Sequence, residues 1–389
     1  MKLLSVLTYI YLLFKPYYIF KSGSIQISDV FLLLGFIVLL MLKRKKNMIG
    51  HILNKNKLYV IFLLFVVFIN LIYFVIFEES KYILSCLYFL FNLLAIVIFS
   101  FLFSENKNFP EKMKRIFKIN IVIQLLFYFT SIGRWYDSSR YMGTFNDPNQ
   151  FGYYILLSIF FIYIISVYDK EKKWNVFYYL MAAFLIIKSS STGMFVGLLV
   201  MIVLYIIENR KRIFYFFTKN IIVIIISLFA VSAGLFAISD GNKLFFTESF
   251  SKINVMDRLF QKMERVENIS SNDGYNILQE RGLDHLYIYP QYMLYGAGEG
   301  NYARFELVSH ECEIHSTLPA ILFYYGIVPF LLIACWIYKR TYKLNKHYMP
   351  VYLAIIFESF TLLNYRQSLF WVVFVFSEFI IEKGEKNEN

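Results

Sequence analysis

The chain has 389 residues, of which 58% are hydrophobic and 20% aromatic, while only 17% are charged. An ordinary soluble domain is much less apolar, so this composition excludes a typical soluble protein and predicts a membrane protein. The formal net charge is +12, which could indicate a nucleic-acid partner unless the basic residues follow membrane topology.

Apolar runs of about 20 residues, long enough to cross roughly 30 Å of hydrocarbon, recur along the whole chain. We predict an all-α, polytopic integral membrane protein, with residues 1–389 forming a single domain of about twelve transmembrane helices. The first helix has a basic start but no small-residue cleavage site, so we expect it to be retained. The predicted spans are 3–20, 25–42, 58–77, 82–103, 116–133, 151–168, 174–188, 193–207, 220–239, 318–338, 349–364 and 367–382.

The basic residues between the spans predict the orientation of the chain. If the N-terminus is cytoplasmic, the basic clusters at 43–46, 112–115, 170–173, 210–212 and 339–343 all lie inside, as the positive-inside rule requires. Both termini are then cytoplasmic. The net charge is explained by this orientation, and we expect no nucleic-acid partner.

Three external segments follow from the same orientation: an opening loop at 134–149, a serine-rich turn at 188–193, and a long loop at 240–317 between spans 9 and 10. Arginine is favoured over lysine on this side, against the trend of the cytoplasmic loops. Because a guanidinium binds phosphate oxygens in a bidentate manner, we interpret the bias as a sign of an anionic ligand.

The opening loop reads "RYMGTFNDPNQFGYY" from Arg140 to Tyr154. Its Asn-Asp-Pro-Asn sequence predicts a turn, and either Asp147 or Asn149 is expected to cap the helix that begins near Phe151. Arg140 lies close to the membrane interface, where a charge is solvated, paired or used. From the residues alone, a snorkelling or capping arginine and a ligand-binding arginine remain equal alternatives.

The long loop is predicted to contain amphipathic helices. Apolar residues recur at helical spacing from Phe250 to Val266, with Arg258 on the opposite face, so we expect a helix that roofs a cavity. A second helix carries Arg281. The glycine-rich stretch at 296–300 is a weak nucleotide-binding signal, because no strand precedes it, and close packing is the preferred interpretation.

The loop ends with "SHECEIHSTLPAILFYYGIVP". A metal site built from His310, Glu311, Glu313 and His315 is disfavoured, because histidines five residues apart do not share a helix face. We expect no metal. His315 lies where the chain re-enters the membrane, and it is either an acid–base group or a histidine that caps or packs at the start of a helix.

Four segments together resemble the O-antigen ligase and Wzy polymerase superfamily of bacterial envelope glycosyltransferases. The segment from Arg140 to Asn149 is similar to the arginine, glycine and Asn/Asp-Pro-Asn signature of that superfamily. "IIKSSSTGMFVGLLV", "ERGLDHLYIYPQYMLYGAGEGNY" and "EIHSTLPAILFYYGIVPFLL" resemble its serine turn, its arginine helix with a Gly-x-Gly motif, and its histidine segment. The resemblance covers roughly residues 110–380, in the family's order. The chain departs from the family at Ser316, where an asparagine is usual, and at Thr192, where an arginine is frequent.

The resemblance implies a metal-independent glycosyltransferase, without cofactor, that polymerises undecaprenyl-diphosphate-linked repeat units on the outer face of the bacterial cytoplasmic membrane. The implied partners are the lipid-linked glycan, the lipid bilayer, and the chain-length regulator and flippase of the same pathway. His315 is the expected catalytic base. The expected substrate-binding residues are Arg140, Asn149, Arg281, Arg304, His310 and Glu358.

Two alternatives remain open on the sequence. A ligase would transfer the glycan to lipid A-core or to another acceptor, and the sequence separates it poorly from a polymerase. A flippase or other transporter would be indicated by internal repeats and by charged helices near the midplane. We find no convincing repeat. Glu358 is the main acidic residue within a predicted span, and it is either a substrate contact or a residue that pairs with a polar neighbour in the bundle.

Overall fold

A computed structural model of the chain provides the fold. It describes residues 1–21, 23–42, 46–137, 139–169, 175–211, 277–308 and 313–388, and six single positions between 258 and 266. The predicted span at 220–239 and the predicted ligand residue His310 lie outside the described residues.

The described part is mostly helical, with one small hairpin. Helices α1 to α7 are Lys2–Phe14, Ile27–Met41, Lys46–Lys55, Lys57–Phe77, Lys81–Glu105, Phe109–Phe129 and Pro148–Tyr168, and the hairpin strands β1 (Arg134–Tyr136) and β2 (Arg140–Gly143) precede α7. Helices α8 and α9 are Val176–Ser189 and Thr192–Lys211. Short helices follow at Ile277–Glu280 (α10), Asp284–Ile288 (α11) and Tyr292–Tyr295 (α12), and then Thr317–Tyr325 (α13), Ile327–Thr341 (α14), Met349–Glu358 (α15) and Ser368–Glu388 (α16).

Four of these helices, α4, α5, α7 and α9, are long and apolar enough to cross a membrane, and α1, α2 and α8 are shorter apolar helices. Many large apolar side chains face outward, among them Leu64, Phe68 and Val75 on α4. An ordinary soluble surface does not carry so many. The fold therefore indicates a helical membrane protein, while the count of twelve spans remains a prediction.

Helix α7 forms the centre of the bundle. Nearly all of its residues are buried, and it packs against α6, α8, α15, α16 and β2. It begins at Pro148, three residues before the predicted start near Phe151. Asp147, one of the two predicted capping residues, accepts hydrogen bonds from the backbone N–H groups of Asn149 and Gln150. Pro148 occupies the first turn, where its missing N–H costs nothing.

Several elements differ from their predicted form, for example α15, which ends at Glu358 rather than at residue 364. Two of the differences have a clear local cause. Helix α1 ends at Phe14 rather than continuing to residue 20, because Pro16 lacks the N–H that would extend the hydrogen-bond ladder. The predicted span 318–338 is divided at Gly326 into α13 and α14. Gly326 has φ = +83°, and a Cβ there would lie 2.7 Å from the carbonyl oxygen of Leu294 and 3.0 Å from the nitrogen of Gly296. Only glycine fits this conformation and this close approach.

We therefore expect Gly326→Ala to destabilise the protein by about 1–3 kcal/mol, because the new methyl group meets backbone atoms at a positive φ. Thermal unfolding of the purified protein in detergent measures the effect. Gly50→Ala is the matched control, because nothing lies within 4 Å of a Cβ at this helical glycine. That variant should be neutral or slightly stabilising. Equal unfolding midpoints for both variants would contradict the explanation of the break.

Candidate functional site

The hairpin fixes the backbone of Arg140. Strand β1 pairs with β2 in antiparallel register, so that Tyr136 lies opposite Arg140. The ring of Tyr141 is fully buried, and its hydroxyl donates to the carbonyl oxygen of Gln124 at 3.0 Å. The sequence predicted only a turn in this segment. The strand pairing that presents the arginine depends on contacts with α6.

Arg140 joins three elements at one end of the bundle. Its Nε donates to the carbonyl oxygen of Ser189 at 3.2 Å, and its Nη2 donates to Oδ1 of Asn149 at 2.8 Å. Only 8% of the residue is exposed. The arginine therefore connects β2 to the end of α8 and to the start of α7, and its orientation is fixed by two acceptors.

The serine-rich turn between α8 and α9 packs closely against α7. Ser190 adopts a left-handed conformation with φ = 50°, and the side chain of Ser189 donates to the carbonyl oxygen of Ile186 at 2.6 Å. A Cβ on Gly152 of α7 would lie 3.0 Å from Oγ of Ser189. This glycine therefore lets the turn approach the beginning of α7, next to Arg140.

Arg281 and His315 are held together by backbone contacts. The backbone N–H of His315 donates to the carbonyl oxygen of Arg281 at 2.9 Å, and Nη1 of Arg281 donates to the carbonyl oxygen of Thr361. Thr361 belongs to the connection between α15 and α16, residues 359–367. The same connection accepts a hydrogen bond from Oγ of Ser316, through the carbonyl oxygen of Phe360 at 2.7 Å. This connection thus holds the side chain of Arg281 and the residue that follows His315.

These elements surround a cavity of about 250 Å³. Four of the predicted site residues, Arg140, Asn149, Arg281 and His315, line it together. The serine turn lines it as well, and so does Arg258. The complete lining is Arg140, Asn149, Ser190, Ser191, Thr192, Gly193, Met194, Arg258, Glu280, Arg281, His315, Thr361 and Leu362.

The cavity concentrates positive charge. Three guanidinium groups, those of Arg140, Arg258 and Arg281, line it together with one carboxylate, that of Glu280. Burial, together with the nearby charge of Arg258, lowers the pKa of Arg140 to about 10. Burial also lowers the pKa of Arg281, and Glu280 opposes this shift. Among the described residues, no ion pair joins a carboxylate to Arg140 or Arg281. Such a site favours an anion.

Arg258 is a cavity residue that sequence reasoning did not select. It belongs to the predicted amphipathic helix, and the described positions of that segment are helical. Phe260, Met263 and Val266 are exposed, whereas Arg258 lines the cavity. The amphipathic pattern placed Arg258 on the polar face of the predicted helix. It did not indicate that this residue lies near Arg140.

Arg304 does not reach the cavity. Its Nη2 donates to the carbonyl oxygens of Ala297 and Gly298, the second at 3.2 Å. Its guanidinium lies over the rings of Phe305, at 4.5 Å, and Tyr73, at 4.8 Å. These contacts give Arg304 a structural role in holding the glycine-rich stretch, which packs closely as the sequence predicted.

Glu358 lies behind the cavity wall and does not line it. Oγ1 of Thr361 donates to Oε2 of the Glu358 carboxylate at 3.0 Å, and Thr361 itself lines the cavity. A Cβ at Gly197 of α9 would collide with the same carboxylate. Glu358 is fully buried. The predicted substrate contact is therefore indirect in this structure.

His285 is a second histidine of the long loop. It is fully buried, and its Nδ1 is 2.8 Å from the carbonyl oxygen of Gly282. Its ring packs edge-on against Phe305 and Phe323. Burial lowers its pKa and favours the neutral form. His285 is thus a packing residue, and His315 is the described histidine that lines the cavity.

Within the described ranges, no group of three His, Cys, Asp or Glu side chains has an arrangement that could hold a metal ion. Comparisons of the chain with protein-family models, with curated proteins and with solved structures give no match. The chemistry of the site therefore has to be derived from its own residues.

We predict that the cavity binds inorganic pyrophosphate, because three arginines line it. Replacing Arg258 by Gln should weaken binding about tenfold or more, because a charge-assisted hydrogen bond contributes about 1.5–3 kcal/mol. Arg140→Lys should also weaken it, because an ammonium does not reproduce the planar contacts of the guanidinium with Ser189 and Asn149. Isothermal titration calorimetry in detergent at low salt measures both effects.

Arg134→Gln is the matched control, because Arg134 is an exposed arginine of the same hairpin and contacts Asn146 outside the cavity. Its affinity should equal that of the wild type. Equal weakening by Arg134→Gln and Arg258→Gln would show that surface charge, and not the cavity, binds the anion.

Proposed function

We propose that the protein is a membrane glycosyltransferase that polymerises undecaprenyl-diphosphate-linked oligosaccharide repeat units. One observation carries the proposal: three arginines and His315 line the same cavity. The guanidinium groups supply the charge that a departing diphosphate requires, and the histidine supplies a base beside it.

The size of the cavity fits the reacting part of such a substrate. Its volume of about 250 Å³ is slightly below the roughly 300–1,000 Å³ of typical ligand pockets. The cavity is therefore matched to a diphosphate and part of the adjoining sugar. The lipid chain and the remaining sugars extend beyond it.

In the proposed reaction, each of these groups has one chemical role. His315 accepts the proton of an acceptor sugar hydroxyl, whose oxygen forms a bond with the anomeric carbon of the lipid-linked donor. The bond between that carbon and the phosphate oxygen breaks, and the lipid diphosphate leaves with the bonding electrons. Arg140, Arg258 and Arg281 stabilise the negative charge of the leaving group. Attack from the opposite face inverts the anomeric centre.

The cellular location in this proposal rests on the positive-inside pattern of the basic clusters. That pattern assigns the opening loop, the serine turn and the long loop to the external side, and residues from all three line the cavity. The reaction then takes place on the outer face of the bacterial cytoplasmic membrane, with both termini in the cytoplasm. The lipid-linked donor reaches this face through a flippase, and a chain-length regulator acts on the product.

We predict that purified wild-type protein elongates a lipid-diphosphate-linked repeat unit in detergent with a chelator present. His315→Ala should lower the rate about 10²- to 10⁴-fold, the usual contribution of general base catalysis. His347→Ala is the control, because the side chain of His347 contacts Glu208, away from the cavity. Gel analysis of the lipid-linked glycans measures product length, and thermal unfolding verifies that each variant is folded.

Other outcomes would redirect the assignment. If the wild type makes no longer product, the polymerase proposal is wrong, and transfer to a lipid A-core acceptor and transport into vesicles become the next assays. If His315→Ala is as active as the wild type, the catalytic base is wrong. A transporter would be favoured if Glu358→Gln abolished function while His315→Ala did not.

A further inference from the structure

A cluster of charged side chains connects the α15–α16 connection to the loop that carries His315. Nε of Arg366 donates to Oε1 of Glu299 at 3.1 Å, and its Nη2 also donates to this oxygen. The same Nη2 donates to Oε2 of Glu313 at 2.6 Å. One guanidinium therefore bridges two carboxylates from separate parts of the long loop, and none of the three residues lines the cavity.

Glu299 is the fixed end of this bridge. It is fully buried, and the hydroxyl of Tyr325 donates to its second carboxylate oxygen at 2.6 Å. Its backbone is held as well, because its N–H donates to Asn70 at 2.9 Å and its carbonyl oxygen accepts from Ser85 at 3.1 Å. A carboxylate with so many partners has little freedom to move.

Glu313 is the other end, two residues before His315. Its side chain is 27% exposed, so it is less confined than Glu299. The next two backbone N–H groups are already held, that of Ile314 by the hydroxyl of Tyr324 and that of His315 by the carbonyl oxygen of Arg281, both at 2.9 Å. The pair with Arg366 therefore fixes the beginning of the segment that presents His315.

We propose that Arg366 is a positioning residue, which bridges Glu299 and Glu313 and thereby fixes the segment of His315 relative to the arginine cavity. The inference rests on the proposed function, since it assigns a role to the alignment of a base. Arg281 is held by Thr361 of the same connection. One connection therefore aligns both the base and an arginine that binds the diphosphate. Alignment of this kind matters because a displacement of about 1 Å can lower a rate about 100-fold.

Glu313→Gln tests the inference, because it preserves the shape of the side chain and leaves the Arg366–Glu299 pair intact. We expect kcat to fall about tenfold with the KM for the lipid-linked donor nearly unchanged, since alignment and not binding is lost. The unfolding midpoint should stay near that of the wild type. Glu306→Gln, which removes an exposed carboxylate from the same loop, should match the wild type in all three measurements.

A double-variant cycle tests whether the effect passes through Arg366. If it does, the variant with both Arg366→Lys and Glu313→Gln should have the same kcat as Arg366→Lys alone. The first substitution already removes the contact between Arg366 and Glu313, so the second has nothing further to remove. Additive losses would overturn the inference. A fall in kcat that follows only the folded fraction would overturn it too, because a merely stabilising ion pair behaves in that way.

A second measurement does not depend on turnover. The rate at which diethyl pyrocarbonate modifies His315, followed by mass spectrometry, reports the environment of the imidazole. We expect Glu313→Gln to change this rate at His315 and not at His347, whereas Glu306→Gln should change neither. An unchanged rate together with an unchanged kcat would overturn the inference. Full activity of His315→Ala would instead count against the proposed function, and the modification rates would still decide the role of Arg366.

Discussion

The carboxylate of Glu299 is fully buried among apolar helices, and the end of the bundle is built around the groups that neutralise it. Arg366 and Tyr325 supply the compensating donors from two different segments. Removing one partner of a buried ion pair typically costs about 3–5 kcal/mol, because the other charge is left uncompensated. The glycine-rich stretch, the start of α16 and the end of α13 are therefore tied to a common point.

The cavity near this point has an excess of positive charge, because three arginines and one glutamate, Glu280, line it. Arg140 comes from the opening loop, whereas Arg258 and Arg281 both come from the long loop, more than 100 residues further along the sequence. Their convergence opposes folding unless an anion or water compensates for it. Two of these guanidinium groups are held by backbone or amide oxygens, Arg140 by Ser189 and Asn149 and Arg281 by the carbonyl oxygen of Thr361. That choice of acceptor preserves the positive charge for a ligand.

The difference between Arg304 and Arg140 shows how one residue type serves two purposes. Both are arginines of predicted external loops, and both were expected to bind the substrate. Arg304 lies over aromatic rings and holds the carbonyl oxygens of a glycine-rich turn, whereas Arg140 lines the cavity. Local sequence gives both the same charge and the same kind of neighbours. Each arginine also meets a partner that is distant in the sequence, Tyr73 of α4 for Arg304 and Ser189 at the end of α8 for Arg140, and no local pattern identifies these partners.

Much of the local structure follows from the sequence. The apolar run of α4 and the cap of α7 by Asp147 depend on neighbouring residues, and the corresponding predictions agree with the structure. The membrane character follows from composition for the same reason, since hydropathy and helix length are properties of contiguous residues. Arg140, Asn149, Arg281 and His315 were selected from polar motifs between the apolar runs and from the resemblance that these motifs carry, and all four line one cavity.

Only the tertiary structure decided how these residues combine. Gly326 divides a continuous apolar run because the backbone of Leu294 and Gly296 passes beside it, and the hairpin before α7 depends on α6. Glu358 was selected as a substrate contact, yet it lies behind Thr361. Arg258 and Arg366 were not selected, since their significance lies in partners more than 50 residues away. The sequence determined which segments are helical and which charges lie outside them, because both depend on local chemistry. Packing across the bundle decided which charged side chains lie together, because it brings into contact residues that are distant in the sequence.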